Sequence, residues 1–237
     1  MRSLMHSSLS FMRKGAADMS ELTLSIVIIL ITGAAVAVVF LFIGNRKKKK
    51  EQALADFCRE RGYAFSRTKE PLGVVVRVEG EAFSLTSKML AQRLDAQSGT
   101  SSWTKETVWM AKAVKGGLPG YTLGSVSAGG DWSALPAWIK DAAVKKLADE
   151  TGLSLDPVRA RAVCTKGKAC FLLFEEKPGA GSAALQRLEP LLELWIEQFN
   201  LVISSGPQGL VIRAAGLFIE DVTQLECMLR LGEACLG

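Results

Sequence analysis

The sequence predicts an α+β protein: a single N-terminal transmembrane helix followed by one soluble domain of antiparallel strands and hairpins covered by helices. Three observations support this prediction. Residues 22–43 carry no charge, several β-rich segments are paired across short turns, and three later segments repeat apolar residues at helical spacing. Hairpins imply antiparallel pairing, and helices that alternate with hairpins are expected to cover one face of a sheet.

Residues 22–43 form the predicted membrane anchor. As an α-helix they would be about 33 Å long at roughly 1.5 Å per residue, and the hydrocarbon core of a bilayer is about 30 Å thick. Lysines follow the run where a cleaved signal peptide would carry small residues, which argues against cleavage. Residues 1–21, which precede the anchor, are expected to be a short flexible tail.

A basic cluster directly follows the anchor and consists of Arg46, Lys47, Lys48, Lys49 and Lys50, whereas only three basic residues precede it. Lysine and arginine near the ends of a span stay on the cytoplasmic side and contact lipid headgroups. The sequence therefore predicts a single-pass protein of the cell membrane. Residues 1–21 would lie outside, residues 44–62 would form a basic juxtamembrane flank and helix, and residues 63–237 would form a cytoplasmic domain.

Gly33 and Ala37 lie four residues apart within the anchor. This spacing lets two helix backbones approach closely, so a homo-oligomer formed through the span is one interpretation. A chance pair of small residues in an alanine-rich span is the alternative.

Composition restricts the chemistry of the soluble part. Eight of the 29 basic and two of the 24 acidic residues precede residue 51, which leaves 21 basic and 22 acidic residues in a nearly neutral domain. We expect no nucleic-acid partner, because such domains carry clustered basic residues. The single histidine, His6, lies in the tail. We therefore expect no histidine-based catalytic set and no histidine-ligated zinc site in the soluble part. We also expect no cofactor.

The chain after the anchor reads as strands, then helix, hairpin, helix, hairpin and helix. Helices are expected at 51–61, 136–151, 182–199 and 219–236, with Pro190 kinking the third. Hairpins are expected at 158–165 with 169–175 and at 201–205 with 210–214. Further strands are expected at 63–67, 74–78, 82–86, 102–113 and 121–126, with a loop at 95–102. Trp103 and Trp109 would share a face of their strand.

Cys164 and Cys170 flank the first of these hairpins. A three-residue turn at 166–168 would place them directly opposite each other, near the separation that a disulfide requires. A redox-sensitive thiol pair is one interpretation and two half-buried small residues is the other. The odd count of five cysteines suits a reducing compartment.

Gly179, Gly181 and Ala184 match the spacing of a dinucleotide-binding loop between a strand and a helix. The acidic residue expected about 20 positions later is absent, and Glu175 and Glu176 before the loop would repel phosphate. An ordinary loop with an N-cap serine is therefore the favoured interpretation.

Glu189, Glu193 and Glu197 recur every four residues and would share one helix face, either solvated or facing a basic partner. The favoured function is a membrane-anchored cytoplasmic interaction or scaffold domain with a protein partner. The alternatives are a membrane-tethered enzyme that uses carboxylate or lysine chemistry, at Asp131 or at Glu175 with Glu176, and a small-ligand sensor.

Overall fold

The computed structural model describes the chain in segments that comprise residues 3–93, 101–112, 118–126, 134–151, 155–156, 160–165, 169–192, 195, 200–206 and 209–236. The chain divides into two compact units, residues 1–52 and residues 53–237. Each unit is built differently: the first is a single stretch of helix, and the second is a mixed sheet-and-helix domain.

Helix α1 runs from Ser3 to Glu60 and contains all of the predicted span in helical form. Its part from Ile28 onward has an 18-residue window of mean hydropathy 2.5, which makes α1 long and apolar enough, by length and composition, to cross a membrane. No other helix in the described segments passes that criterion. The helix begins at Ser3, so the predicted tail is helical from that residue on.

The last two turns of α1 belong to the second unit and pack into its core. Leu54 and Cys58 are fully buried in its core. The helix ends before Gly62, which adopts a φ of 72°, and the N–H of Tyr63 donates to the carbonyl of Cys58 at 2.8 Å. A left-handed glycine of this kind terminates helices, as the sequence predicts.

Nine strands form one fully antiparallel sheet in the second unit. In chain order they are β1 (Ala64–Glu70), β2 (Gly73–Glu79), β3 (Phe83–Arg93), β4 (Ser101–Ala111), β5 (Tyr121–Val126), β6 (Arg161–Thr165), β7 (Ala169–Glu175), β8 (Asn200–Gly206) and β9 (Gly209–Ala215). Across the sheet the order is β1-β2-β3-β4-β9-β8-β5-β7-β6. The N-terminal meander β1–β4 therefore meets the rest of the sheet at the pairing of β4 with β9.

Three further helices pack on this sheet: α2 (Ala137–Thr151), α3 (Ser182–Leu192) and α4 (Val222–Leu236). The helix around Pro190 ends at Leu192, close to the proline. Helix α4 begins later than predicted, at Val222, because Asp221 accepts a hydrogen bond from the N–H of Gln224 at 3.1 Å and acts as its N-cap. The predicted loop at 95–102 is too long by two residues, since β4 begins at Ser101.

The helices lie on both faces of the sheet, and the expectation that they cover one face is wrong. Strand β7 shows this by alternation: Phe171 and Leu173 join the core beneath α3 and α4, whereas Leu172 and Phe174 pack with Val144 and Leu147 of α2. Successive residues of a strand point to opposite faces. We call the first face, which also receives Leu54 and Cys58, the core face.

The α2 helix approaches its side of the sheet closely at Gly124. A Cβ at this glycine of β5 would overlap the side chain of Leu147, so the absence of a side chain lets the helix settle onto the strand. The α2 cluster includes residues of β6, β7 and β8 and none of β1–β4 or β9.

The core face centres on Trp109 of β4, which is 1% exposed. Its ring stacks on Phe83 with 5.9 Å between centroids, and Tyr63 meets Phe83 edge-on at 5.1 Å. Gly232 of α4 faces the indole so closely that an added Cβ would lie within 3.0 Å of three of its ring carbons. The contact between α4 and β4 therefore requires glycine at this position.

We predict that Gly232→Ala destabilises the domain by about 1–2 kcal/mol. Because three ring carbons of Trp109 lie within 3.0 Å of the added Cβ, we take the overpacking cost from the upper part of its usual range, about 2–3 kcal/mol, and the better helix propensity of alanine returns roughly 1 kcal/mol. Urea unfolding of the full chain in detergent, followed by circular dichroism, measures the change. Glu233→Ala, on the exposed side of the same helix, is the control and should change stability little. An unchanged or raised midpoint for Gly232→Ala would contradict the packing described.

Candidate functional site

The basic flank of the apolar helix is exposed throughout. Residues 46–50 are all solvent-exposed, and the guanidinium of Arg46 lies over the ring of Phe42, 5.0 Å from its centroid. Phe42 and Arg46 lie one helical turn apart, so their contact places a cation beside the last aromatic side chain of the apolar run. Arginine and aromatic side chains are the residues that populate membrane interfaces.

Gly33 and Ala37 lie one turn apart on α1 and are both exposed. An added Cβ at Gly33 would contact nothing within 4 Å. Their proposed role in pairing two helices stays a prediction.

The hairpin register places Cys164 of β6 directly opposite Cys170 of β7. The neighbouring pair, Val163 and Phe171, contributes to the core face. The side chains of both cysteines lie outside the described part of the structure, and a redox role stays a prediction.

The glycine-containing turn before α3 is closed by a carboxylate of the protein itself. The N–H of Gly181 donates to Oε1 of Glu175 at 2.7 Å, and Gly179 adopts a φ of 85°. A Cβ at Gly181 would come within 3.3 Å of Leu173, Tyr121 and Glu175. Glu175 therefore occupies an amide that a bound phosphate would use. This bond gives Glu175 a structural role at the start of α3.

Two other predicted sites fall largely outside the described residues. Glu189 is exposed on α3, but Glu193 and Glu197 are not described, so their shared face is not established. Residues 129–132, which include the candidate carboxylate of Asp131, are also outside.

A buried chain of hydroxyls joins β3, β4 and the segment before α4. Ser87 and Thr107, both 0% exposed, lie 2.8 Å apart through their hydroxyl oxygens. Thr107 donates to the carbonyl of Leu217 at 2.9 Å, so its oxygen must accept from Ser87. The oxygen of Ser87 in turn accepts the N–H of Ile219 at 2.9 Å. The hydroxyl hydrogens of Ser87 and Thr107 are both donated within the protein. These hydrogen bonds therefore connect structural elements and leave neither hydroxyl as an activated nucleophile.

A second buried polar cluster lies where α4 ends against β5. Tyr121 is 3% and Cys235 is 4% exposed. Burial raises the pKa of Cys235 to about 12, and the nearby Tyr121 and Arg187 lower it by less. Burial also raises the pKa of Tyr121, with a further increase from Cys235. Both groups stay protonated at neutral pH, so neither is the thiolate or phenolate that a nucleophilic mechanism needs.

Within the described segments, no group of three or more histidine, cysteine, aspartate or glutamate side chains is placed to hold a metal ion.

One half of the α2 side of the sheet has no covering helix among the described residues. We call it the open face. Its exposed side chains include Arg77, Glu79, Lys88, Met110 and Arg213, from the neighbouring strands β2, β3, β4 and β9. Ser84, Thr86, Glu106, Val108 and Val211 are half-buried on this face, and Val75 of β2 is fully buried there.

One row of the open face has an arginine at each end. Arg77 is opposite Thr86, Thr86 is opposite Val108, and Val108 is opposite Arg213. Strands lie about 4.8 Å apart, so the row spans roughly 14 Å. The two guanidinium groups therefore flank a β-branched pair, Thr86 and Val108, at the middle of the sheet.

The adjacent rows add an apolar centre and partly cancelled charges. Met110 is 42% exposed and lies opposite Val211. Glu79 is 3.7 Å from Nζ of Lys112, and Glu106 is directly opposite Lys88. Glu79 and Glu106 of the open face are thus each beside a lysine.

The open face was not identified from the sequence. Its signal is present in β2, where valines alternate with Arg77 and Glu79, and in β9, where Arg213 interrupts an apolar run. Alternation shows that one face of each strand is polar, but it does not show which strands are neighbours.

Comparisons with known proteins give no family assignment: no protein family, no curated protein and no solved structure matches this chain.

We predict that Cys58 and Cys235 resist thiol reagents at neutral pH and that Cys227, which is half-buried, reacts first. Burial raises the pKa of Cys58 to about 11 and that of Cys235 to about 12, so both stay protonated. Maleimide labelling followed by peptide mass spectrometry gives the order, and labelling in urea is the control for accessibility. Faster labelling of Cys235 than of Cys227 would contradict it.

The same shifts predict a loss of stability at alkaline pH. A thiol whose pKa is higher in the folded than in the unfolded chain stabilises the fold fully below its unfolded pKa, about 9.0, and loses that contribution as pH rises to about 12. Cys235→Ala should flatten this part of the pH profile of thermal unfolding. An unaltered slope would show that Cys235 does not titrate on unfolding.

Proposed function

We propose that this protein is a single-pass membrane protein whose α+β domain binds a protein partner through the open face. The observation that carries the proposal is the row from Arg77 to Arg213, with Met110 beside it, on a sheet half that no described helix covers. Protein interfaces combine an apolar centre with a polar rim and are enriched in methionine and arginine. Methionine also adapts its shape to a partner.

The membrane part of the proposal is supported by the surface of α1. Twelve large apolar side chains between Ile26 and Ile43 are 45–71% exposed. A continuous apolar surface of this kind is unfavourable in water, whereas in lipid it is the surface that a helix needs. The basic flank at 46–50 supports a cytoplasmic location of residues 53–237.

The chemistry of the partner follows from the charges. Because Glu79 and Glu106 are each beside a lysine, Arg77 is the positive charge of this face on which the proposal relies. The partner should present an apolar patch bordered by aspartate or glutamate. Opposite charges at such an interface raise the association rate and select the partner.

We predict that a photoreactive amino acid at position 110 forms a protein adduct in native membranes, whereas the same group at Glu233 does not. Glu233 is exposed on α4, on the core-face side of the sheet. The double variant Arg77→Glu, Arg213→Glu should reduce the adduct at position 110 by about tenfold, since reversing rim charges weakens association.

The charge control is Arg230→Glu, which alters an exposed arginine of α4 paired with Glu226. It should leave the adduct unchanged. Equal adducts at both positions, or an adduct at position 110 that survives the double variant, would exclude the open face as the binding surface.

We predict that Cys164 and Cys170 are reduced in intact cells. Their register brings the backbones into range of a bridge, and the basic flank predicts a reducing cytoplasmic location. Alkylation before lysis, with and without a reductant, measures the free thiols by mass. A pair that becomes reactive only after reduction would show that the domain faces an oxidising compartment and that the orientation is reversed.

A further inference from the structure

We propose that a second surface of the domain, an apolar rim formed by Leu72 and Trp103, rests in the headgroup layer of a lipid bilayer. The rim lies on the core face, opposite to the open face. This inference rests on the membrane anchoring proposed above and adds a lipid-contacting site to it.

The two rim residues belong to one row at the end of the sheet. Trp103 of β4 is opposite Ala91 of β3, and the N–H of Ala91 donates to the carbonyl of Leu72 at 2.7 Å. Leu72 is 57% and Trp103 is 54% exposed. The small side chain of Ala91 separates them, so they form two prominent apolar groups about two strand spacings apart.

The end of β4 carries Trp103 beyond the region where β9 pairs. Pairing of β4 with β9 begins at Glu106, and the carbonyl of Lys105 accepts the N–H of Gly216, so residues 101–104 have β3 as their strand partner. Trp103 lies an even number of residues from Trp109, so both point toward the core face, but only Trp109 is covered.

Lysines lie in the next row on the same face. The row consists of Lys69, Val74, Met89 and Lys105, connected by the registers of β1 to β4. Their acidic neighbours, Glu70 and Glu106, point to the opposite face by alternation. Tryptophan, leucine and lysine at one edge are the combination found where proteins meet headgroups, with the lysines near anionic lipid.

The end of α1 is joined closely to the sheet. Only residues 61–63 connect α1 to β1, and Leu54 and Cys58 are buried in the core of the core face.

The length of the connecting chain restricts how far the α+β domain can move from lipid. Nine residues separate Ile43 from Ala53, and even a fully extended segment of nine residues spans at most about 32 Å. The tether keeps the effective concentration of lipid at the rim high, so weak contacts suffice. These points select lipid, rather than a soluble protein, as the occupant.

Quenching of tryptophan fluorescence by lipids brominated near the headgroup tests the proposal. The full chain is placed, one copy per nanodisc, in phosphatidylcholine with phosphatidylserine, which excludes a second copy and other proteins as occupants. Trp103→Phe should lose at least half of the bromine-dependent quenching. Trp138→Phe is the matched control, because Trp138 is 71% exposed on α2, and should keep it.

Charge variants provide a second measurement, made in these discs and in discs of phosphatidylcholine alone. Lys69→Glu with Lys105→Glu should lower the quenching of Trp103 at least twofold when phosphatidylserine is present and should have no effect in phosphatidylcholine alone. Quenching that is unchanged in Trp103→Phe, or reduced equally in Trp138→Phe, would overturn the proposal. Failure of anchoring is seen separately, as extraction of the wild-type chain from vesicles by alkaline carbonate.

Discussion

The pairing of β4 with β9 is the contact on which the rest of the sheet depends. Five residue pairs, from Glu106 with Ala215 to Met110 with Val211, join the meander β1–β4 to the other five strands. The hydroxyl of Thr107 and the carbonyl of Lys105 extend the junction to Leu217 and Gly216. Because the two strands are about a hundred residues apart, their closure carries an entropic cost that buried contacts around Trp109 must offset.

That junction also determines which surfaces the domain can offer. On the core face the end of α1, α3 and α4 cover one continuous core that extends from β2 to β7. On the opposite face α2 covers only the half that contains β5, β7 and β8. An antiparallel sheet tolerates water on one side, so the fold needs no further helix. The described helices therefore leave the open face uncovered.

Much of the local structure was predictable because its signals are local. The turn at Gly62, the hairpins around 166–168 and 207–208 and the helix from Ala137 each depend on residues a few positions apart. The register of Cys164 with Cys170 followed from turn length alone. The strand order was not predictable, since alternation assigns the faces of a strand and carries no information about its partners.

The candidate sites divide in the same way, into features with a local sequence signal and features that depend on strand order. The role of Glu175 as acceptor for the amide of Gly181 depends on a turn that the sequence marked, although the bond itself was not foreseen. The row from Arg77 to Arg213 combines four strands whose neighbourhood arises only after β4 and β9 have paired. The expectation that all helices cover one face was wrong for α2, because an apolar stripe shows that a helix is buried but not against which surface.

The distance in sequence between β4 and β9 has a consequence for biosynthesis. At about 5–20 residues per second, a ribosome needs roughly 5–20 s after finishing β4 to supply β9. During this interval one long edge of the meander has unpaired backbone groups, and the apolar helix has already been made. Until β9 is complete, the exposed edge of β4 can pair with neighbouring nascent chains. The order of synthesis therefore leaves unprotected longest the strand edge on which the finished sheet depends.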